Sequence, residues 1–289
     1  MQKEKIPQLT YGGYSKPMIT APLTWTVCGT PGYGPEWVEP LKLLMTDWTE
    51  KRPLKLGAIL YDQTAPRAAV EFMQRVAPTL KIDFVGFEVV PMLAVDTTTE
   101  LRRLAAKNPD WIYAMAWSAP MMVIGHDVAR LELEKRGIKF CGARMNLELN
   151  ARKALGAAVE GWYELSPSPA PSETELPGVK AALEAAKRYR DWEPRDISEA
   201  YITGFFESSI AVEALRLAVE KVGFENLTGV AVRDALTSIK DFDSGFMPPI
   251  TVNEDSPWWP GYIRLYRVQQ GKWVPISDWV ELPYTLKDL

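Results

Sequence analysis

Apolar and polar positions fall into a recurring pattern in the middle of the chain. Between residues 54 and 142 a short apolar run, a turn and an amphipathic stretch repeat four times. The apolar runs are residues 54–61, 84–90, 111–117 and 138–142, and the stretches between them read as helices. Strands alternating with helices predict βαβ units and a parallel sheet covered on both faces. Such sheets bind ligands at the carboxyl ends of their strands. Function is therefore expected in the loops at 62–67, 117–120 and 143–146.

The flanks of this block are less regular. Residues 6–9 and 24–28 are strand candidates, and the Gly/Pro-rich segment 29–35 breaks the chain before a helix over about 36–50. Trp37, Leu41, Leu44 and Trp48 share one face of that helix. After Gly142 the alternation is expected to stop. Residues 151–161 are rich in small side chains, and 166–172 (Ser-Pro-Ser-Pro-Ala-Pro-Ser) read as a linker or surface loop. Helices are predicted over 178–189, 197–222 and 228–239. On the second, Tyr201, Phe205, Ser208, Val212, Leu215, Val219 and Val222 fall at spacings of four and three and predict a buried stripe. Gly223 is its expected C-cap and Thr228 the N-cap of the third. Residues 246–252 and 262–268 are expected strands, the latter returning through a tight turn at 269–272 to a strand over 273–276.

Composition narrows the function classes. The 289 residues are 47% hydrophobic and 24% charged, ordinary for a globular chain and enough for two cores. The net charge of −4, without a basic block, speaks against nucleic acid as a partner. No apolar run approaches the ~18 residues that span a bilayer, and no signal peptide is visible behind Met1. Cys28 and Cys141 each lie in a strand-like context; buried free thiols are expected, with a disulfide left open. With a single histidine, His126, expected to be structural, no metal site is expected. The 11 tryptophans include a C-terminal group, Trp258, Trp259, Trp273 and Trp279, read first as packing and alternatively as the floor of a ligand cleft.

Catalytic and nucleotide motifs are missing. Neither Gly-rich phosphate signature occurs, and where a dinucleotide fold needs glycines the first strand runs Leu60-Tyr-Asp-Gln-Thr-Ala-Pro66. There is no Gly-x-Ser-x-Gly elbow, and His126 has no evident triad partners. An enzyme is not expected, nor a cofactor. The strand-end loops offer Thr64, Trp117, Ser118 and Arg144: hydroxyls, an aromatic face and a guanidinium able to grip a carboxylate with two parallel hydrogen bonds. That set suits a small organic anion.

The order of these elements resembles a known family. Ile6-Pro-Gln-Leu-Thr10, a small-residue loop and a strand leading into a crossover helix resemble the middle of a type I periplasmic binding protein. The group is the leucine/isoleucine/valine-binding one, the substrate-binding proteins of branched-chain amino-acid ABC transporters. Lys55-Leu-Gly-Ala-Ile-Leu-Tyr-Asp62 is similar to its strand ending in Asp, and Leu101-Arg-Arg-Leu-Ala-Ala-Lys-Asn-Pro-Asp-Trp-Ile-Tyr113 to its helix–Pro-Asp–strand step. The run from Ala200 to Ala218 resembles its long return helix, and the segment from Phe242 to the Gly271-Lys272 turn its C-terminal closure.

The resemblance implies an α/β, two-lobed type I architecture, each lobe a parallel sheet flanked by helices. Lobe one would comprise 1–35 and 161–262, and lobe two 36–160 and 263–289. The family carries a further segment ahead of the position matching Ile6, so the first lobe is expected to be incomplete. The implied function is a solute-binding receptor of an ABC-type importer, holding a carboxylate or amino-acid-like ligand between the lobes and working with membrane subunits. A cytosolic ligand-sensing regulatory protein of the same fold is the alternative. The family implies a periplasmic or extracellular location, and the lack of a visible leader leaves the cytoplasm open. Carried over by position, Gly13, Tyr14 and Ser15 fall in the loop that holds the ligand carboxylate, and Pro66 where the family has an aromatic. Trp117 matches the aromatic after the third strand, and Tyr201 lies on the return helix. Arg144 falls where amino-acid binders carry an acid; it would repel an ammonium and attract an anion, favouring a carboxylate without an amine.

Overall fold

The computed structural model describes residues 5–10, 25–28, 41–43, 45, 48–143, 146–252 and 261–282. Its elements, in chain order, are β1 (Gln8–Thr10), β2 (Thr26–Cys28), β3 (Leu54–Tyr61), α1 (Thr64–Val76), β4 (Ile82–Val90), α2 (Thr98–Ala105), β5 (Trp111–Met115), α3 (Ser118–Arg130), β6 (Lys139–Ala143), α4 (Leu149–Leu155) and β7 (Tyr163–Ser166). They continue with α5 (Pro177–Arg190), α6 (Glu199–Val222), α7 (Gly229–Thr237), β8 (Tyr262–Gln269), β9 (Lys272–Pro275) and β10 (Val280–Glu281). Residues 41–43 and 45 are also helical. Among the described residues no helix is long and apolar enough to cross a membrane.

The chain divides into two compact units. Unit one is Met1–Pro35, Pro167–Tyr262 and Trp279–Leu289; unit two is Glu36–Ser166 and Ile263–Asp278. Residues 161–166, grouped from sequence with 167–262, belong to unit two, because 163–166 form a strand of its sheet. Residues 279–289 go with unit one rather than with 263–278.

Unit two is the predicted parallel sheet. Its strands lie in the order β4-β3-β5-β6-β7-β8, with β9 beside β8. β3 to β7 pair in parallel; β8 and β9 add antiparallel strands. Leu56, Ala58, Ile59 and Leu60 on β3 and the whole of β5 are buried, as a sheet covered on both faces requires. β4 carries one extra residue opposite the Leu56–Gly57 step, a bulge at which Gly86 adopts φ +123°. The β8–β9 hairpin turns through Gln270 and Gly271, both at positive φ (51° and 70°), the two-residue turn whose twist matches its strands.

The alternation does not stop after Gly142. α4 and β7 add one more helix and strand, in a region where the sequence suggested only small-residue loop. The segment 166–170 is likewise no surface linker: it is buried throughout. The Ser168 and Thr203 hydroxyls lie 2.5 Å apart, and the Ala170 N–H donates to Glu173 at 2.6 Å. The short strand expected over 246–252 is reduced to a single bridge, Phe242 to Ile250, since Pro248 and Pro249 cannot donate to a ladder.

Unit one pairs β1 with β2 in parallel and packs α5, α6 and α7 around an apolar core. Ser198 caps α6, its hydroxyl accepting the Tyr201 N–H, and Gly223 ends the helix at φ +81°. Thr228 caps α7 through Ala231. The buried face of α6 is not the predicted stripe. Ile202, Phe206, Ile210, Ala214 and Ala218 are buried, one or two positions off the expected series, whereas Val212 is 64% and Leu215 42% exposed; Tyr201 and Phe205 pack partly buried against the same core. A helix apolar on both sides gives no unique phase from sequence, and the alanines that allow close packing signal least.

Candidate ligand-binding edge

The carboxyl ends of neighbouring strands in unit two place the candidate residues. Leu60 on β3 pairs with Met115 on β5, and Ala114 on β5 with Gly142 on β6. The turns into α1 and α3 and the loop after β6 therefore line one sheet edge, as parallel topology dictates. Thr64 opens α1 and is exposed; Ser118 opens α3. Trp117 precedes α3 in extended conformation (φ −101°, ψ 152°), and 40% of it is exposed, a large value for a tryptophan so near a core.

The other predicted residues are placed differently. Pro66 is buried in the first turn of α1. Asp62 is exposed and its carboxylate is bonded by Arg67 at 2.8 Å. Tyr201 lies in unit one, its hydroxyl donating to the Ala182 carbonyl at 3.3 Å and its ring edge-on to Trp192 at 5.6 Å. Gly13, Tyr14, Ser15 and Arg144 lie outside the described residues, as do Trp258 and Trp259. Trp273 is packing: it is buried, with Arg152 stacked 5.2 Å from its ring. His126 is exposed on α3, and Cys141 is a free thiol. Burial, and then the nearby Glu164 charge, push that thiol well above its usual range, so it stays protonated and unreactive.

The structure adds residues that the sequence did not single out. Where the chain re-enters after β6, the Asn146 side-chain amide donates to the Ala114 carbonyl at 2.6 Å, tying the loop to β5. The backbone N–H groups of Asn146 and Leu147 donate to Glu164 on β7 at 3.3 and 3.2 Å. Arg152 donates through one guanidinium nitrogen to the Leu147 carbonyl and through Nε to the Gly271 carbonyl at 2.9 Å. Glu164 had no sequence signal, because a charged residue argues against a central strand until the strand itself is recognised.

The opposite, amino edge of the sheet is stapled. Asp110 accepts from both terminal guanidinium nitrogens of Arg52 and from the Lys55 N–H, and its backbone bonds reach β3 and β6. Exposed Thr64 and Trp117 thus lie at the carboxyl edge, and the Arg52–Asp110 ion pair at the amino edge. Among the described residues no cluster of His, Cys, Asp and Glu is suited to a metal ion. What the carboxyl edge offers is an exposed aromatic side chain at Trp117 and an exposed hydroxyl residue at Thr64.

Comparison with known proteins agrees with this architecture. The branched-chain amino acid ABC transporter protein of Thermus thermophilus, solved with bound valine, superposes with a TM-score of 0.84 at 21% identity, covering 97% of this chain and 73% of that one. A solute-binding protein from R. palustris in complex with 4-hydroxybenzoate matches with a TM-score of 0.78 at 14% identity, covering 99% and 74%. A fatty acid ABC transporter substrate-binding protein from Thermomonospora curvata matches at 0.77 and 17%, covering 97% and 70%. A search of curated proteins returns no match. Residues 41–272 match the periplasmic binding protein family, a span that takes in all of α1 to α7, and the chain belongs to that family.

Proposed function

We propose that this chain is a solute-binding receptor of an ABC-type importer, taking a small organic carboxylate at the carboxyl edge of the unit-two sheet. The observation that carries the reading is the exposure of Trp117 and Thr64, each just past the carboxyl end of one of two adjacent strands. An aromatic surface next to hydroxyl donors suits a flat or apolar ligand body with a polar group to anchor it. Arg144, two residues beyond the Gly142 of β6, would supply the charge for a carboxylate. Valine, 4-hydroxybenzoate and fatty acids, the ligands that the similar structures name, share a carboxylate.

On this reading the two compact units are the two lobes of the receptor, its place of work lies outside the cytoplasm, and its protein partners are the membrane subunits of the importer. A thermal-shift screen of amino acids, aromatic acids and fatty acids tests it. A ligand that binds only the folded chain raises the melting temperature in a saturable way. Stabilisation by carboxylates without an amine is expected; stabilisation by none of the panel contradicts the proposal.

A further inference from the structure

Two features of unit two are each costly to a sheet, and they meet at one point. Glu164 is fully buried in the middle of β7. Gly142, its register partner on β6, forgoes all side-chain packing in a central strand. A Cβ built on Gly142 would lie 2.1 Å from Glu164 Oε2 and 3.3 Å from the Leu147 side chain. The glycine is therefore the space that the carboxylate fills. A buried carboxylate is retained only where hydrogen bonds offset its desolvation, and an apolar residue there would serve the sheet at least as well.

Two hydrogen bonds of Glu164 lead to the stretch after β6. Its two oxygens each accept one of the consecutive N–H groups of Asn146 and Leu147. The same two residues are held to β5 by the Asn146 amide and from the far side by Arg152 on the Leu147 carbonyl. We propose that Glu164 is a positioning residue: its carboxylate fixes the chain at Asn146 and Leu147, and thereby the shape of the carboxyl edge of the sheet. The effect on affinity rests on the proposed function; the effect on the loop does not.

Two measurements separate these. Hydrogen exchange on the ligand-free chain reads the Asn146 and Leu147 amides directly. In Glu164→Leu and Glu164→Gln they are expected to lose about tenfold or more protection relative to the amides of β3 and β5, the loss of one hydrogen bond to a charged group. Gly142→Ala is expected to lose the same protection at 146 and 147 with Glu164 intact, because its Cβ displaces the carboxylate, and to lower the melting temperature through overpacking. Protection that is unchanged at 146 and 147, or lost evenly across the sheet, overturns the proposal. Titration with 4-hydroxybenzoate and with valine, at a temperature where both chains are folded, then reads the edge: whichever the wild type binds is expected to bind Glu164→Leu about tenfold more weakly. Equal affinity overturns the positioning role. Should the wild type bind neither probe, the exchange result alone decides the loop, and the failure falls on the ligand class proposed above.

Discussion

The Asp110 carboxylate accepts both terminal nitrogens of Arg52, at 2.6 and 2.7 Å, across a sequence separation of 58 residues. The pair closes the amino edge of the sheet, where Asp110 also accepts the Lys55 N–H at 2.8 Å and its own carbonyl accepts the Lys139 N–H at 2.9 Å. One aspartate thereby sets the starts of β3, β5 and β6. Asp110→Asn is expected to destabilise unit two by about 1.5–3 kcal/mol, the range for hydrogen bonds to a charged group. Arg52→Ala leaves the backbone bond in place and removes a solvent-screened partner, so it should cost clearly less. Denaturant unfolding of the two variants checks the order; an equal or reversed ranking contradicts it.

Acid should weaken the fold through two carboxylates held below their ordinary range. At Asp110 burial works against ionisation, but the Arg52 and Lys55 hydrogen bonds outweigh it and the pKa is lowered. At Asp96 the hydroxyl of Thr98, the Arg130 guanidinium and the Thr98 N–H bring it from 3.8 to about 2. A depressed folded pKa means that the unfolded chain takes up its proton first. The stabilisation is full above the unfolded value and is lost as pH falls through the folded one. Stability should therefore fall between pH 4 and about 2, and Asp96→Asn should flatten that slope; an unaltered slope in the variant contradicts the assignment.

Substitutions on α6 separate its two apolar faces. Ile210→Ala removes a fully buried side chain and should cost about 2–5 kcal/mol. Val212→Asp changes a position that is 64% exposed and should leave the stability within about 0.5 kcal/mol of the wild type. Thermal unfolding distinguishes this from the stripe read off the sequence, which predicts the opposite ranking.

That reversal shows what the sequence could and could not convey. The run 54–61 is legible to the residue, because an apolar β-rich segment is bounded by Pro53 and Asp62. The Gly223 C-cap of α6 and the Thr228 N-cap of α7 are equally plain. β7 was hidden because its centre is Glu164, a residue placed there for the loop rather than for the strand. The phase of α6 was hidden because packing outside the helix decides which of two apolar faces is covered. At the carboxyl edge of the sheet, the places of Thr64 and Trp117 follow from topology alone, whereas Asn146 and Arg152 act through hydrogen bonds to backbone carbonyls that no spacing rule encodes.

Gly178 in α5 stands against the Phe246 ring, with room for nothing else: an added Cβ would sit 2.4 Å from Cδ2. Gly178→Ala is expected to destabilise unit one by about 1–3 kcal/mol through overpacking. Combined with Phe246→Leu, the loss should be less than the sum of the two single losses, since the smaller side chain relieves the clash. Strict additivity in a double-mutant cycle contradicts this packing.

The central claim is that the carboxyl edge of the unit-two sheet binds a small organic carboxylate. Its most direct test is calorimetric titration of the wild type, Trp117→Ala and Arg144→Ala with the carboxylate that stabilises the chain most. One saturable site is expected in the wild type. Each variant should bind about tenfold or more weakly at unchanged stability, as expected when one strong ligand interaction is removed. Full affinity in both variants would contradict the claim.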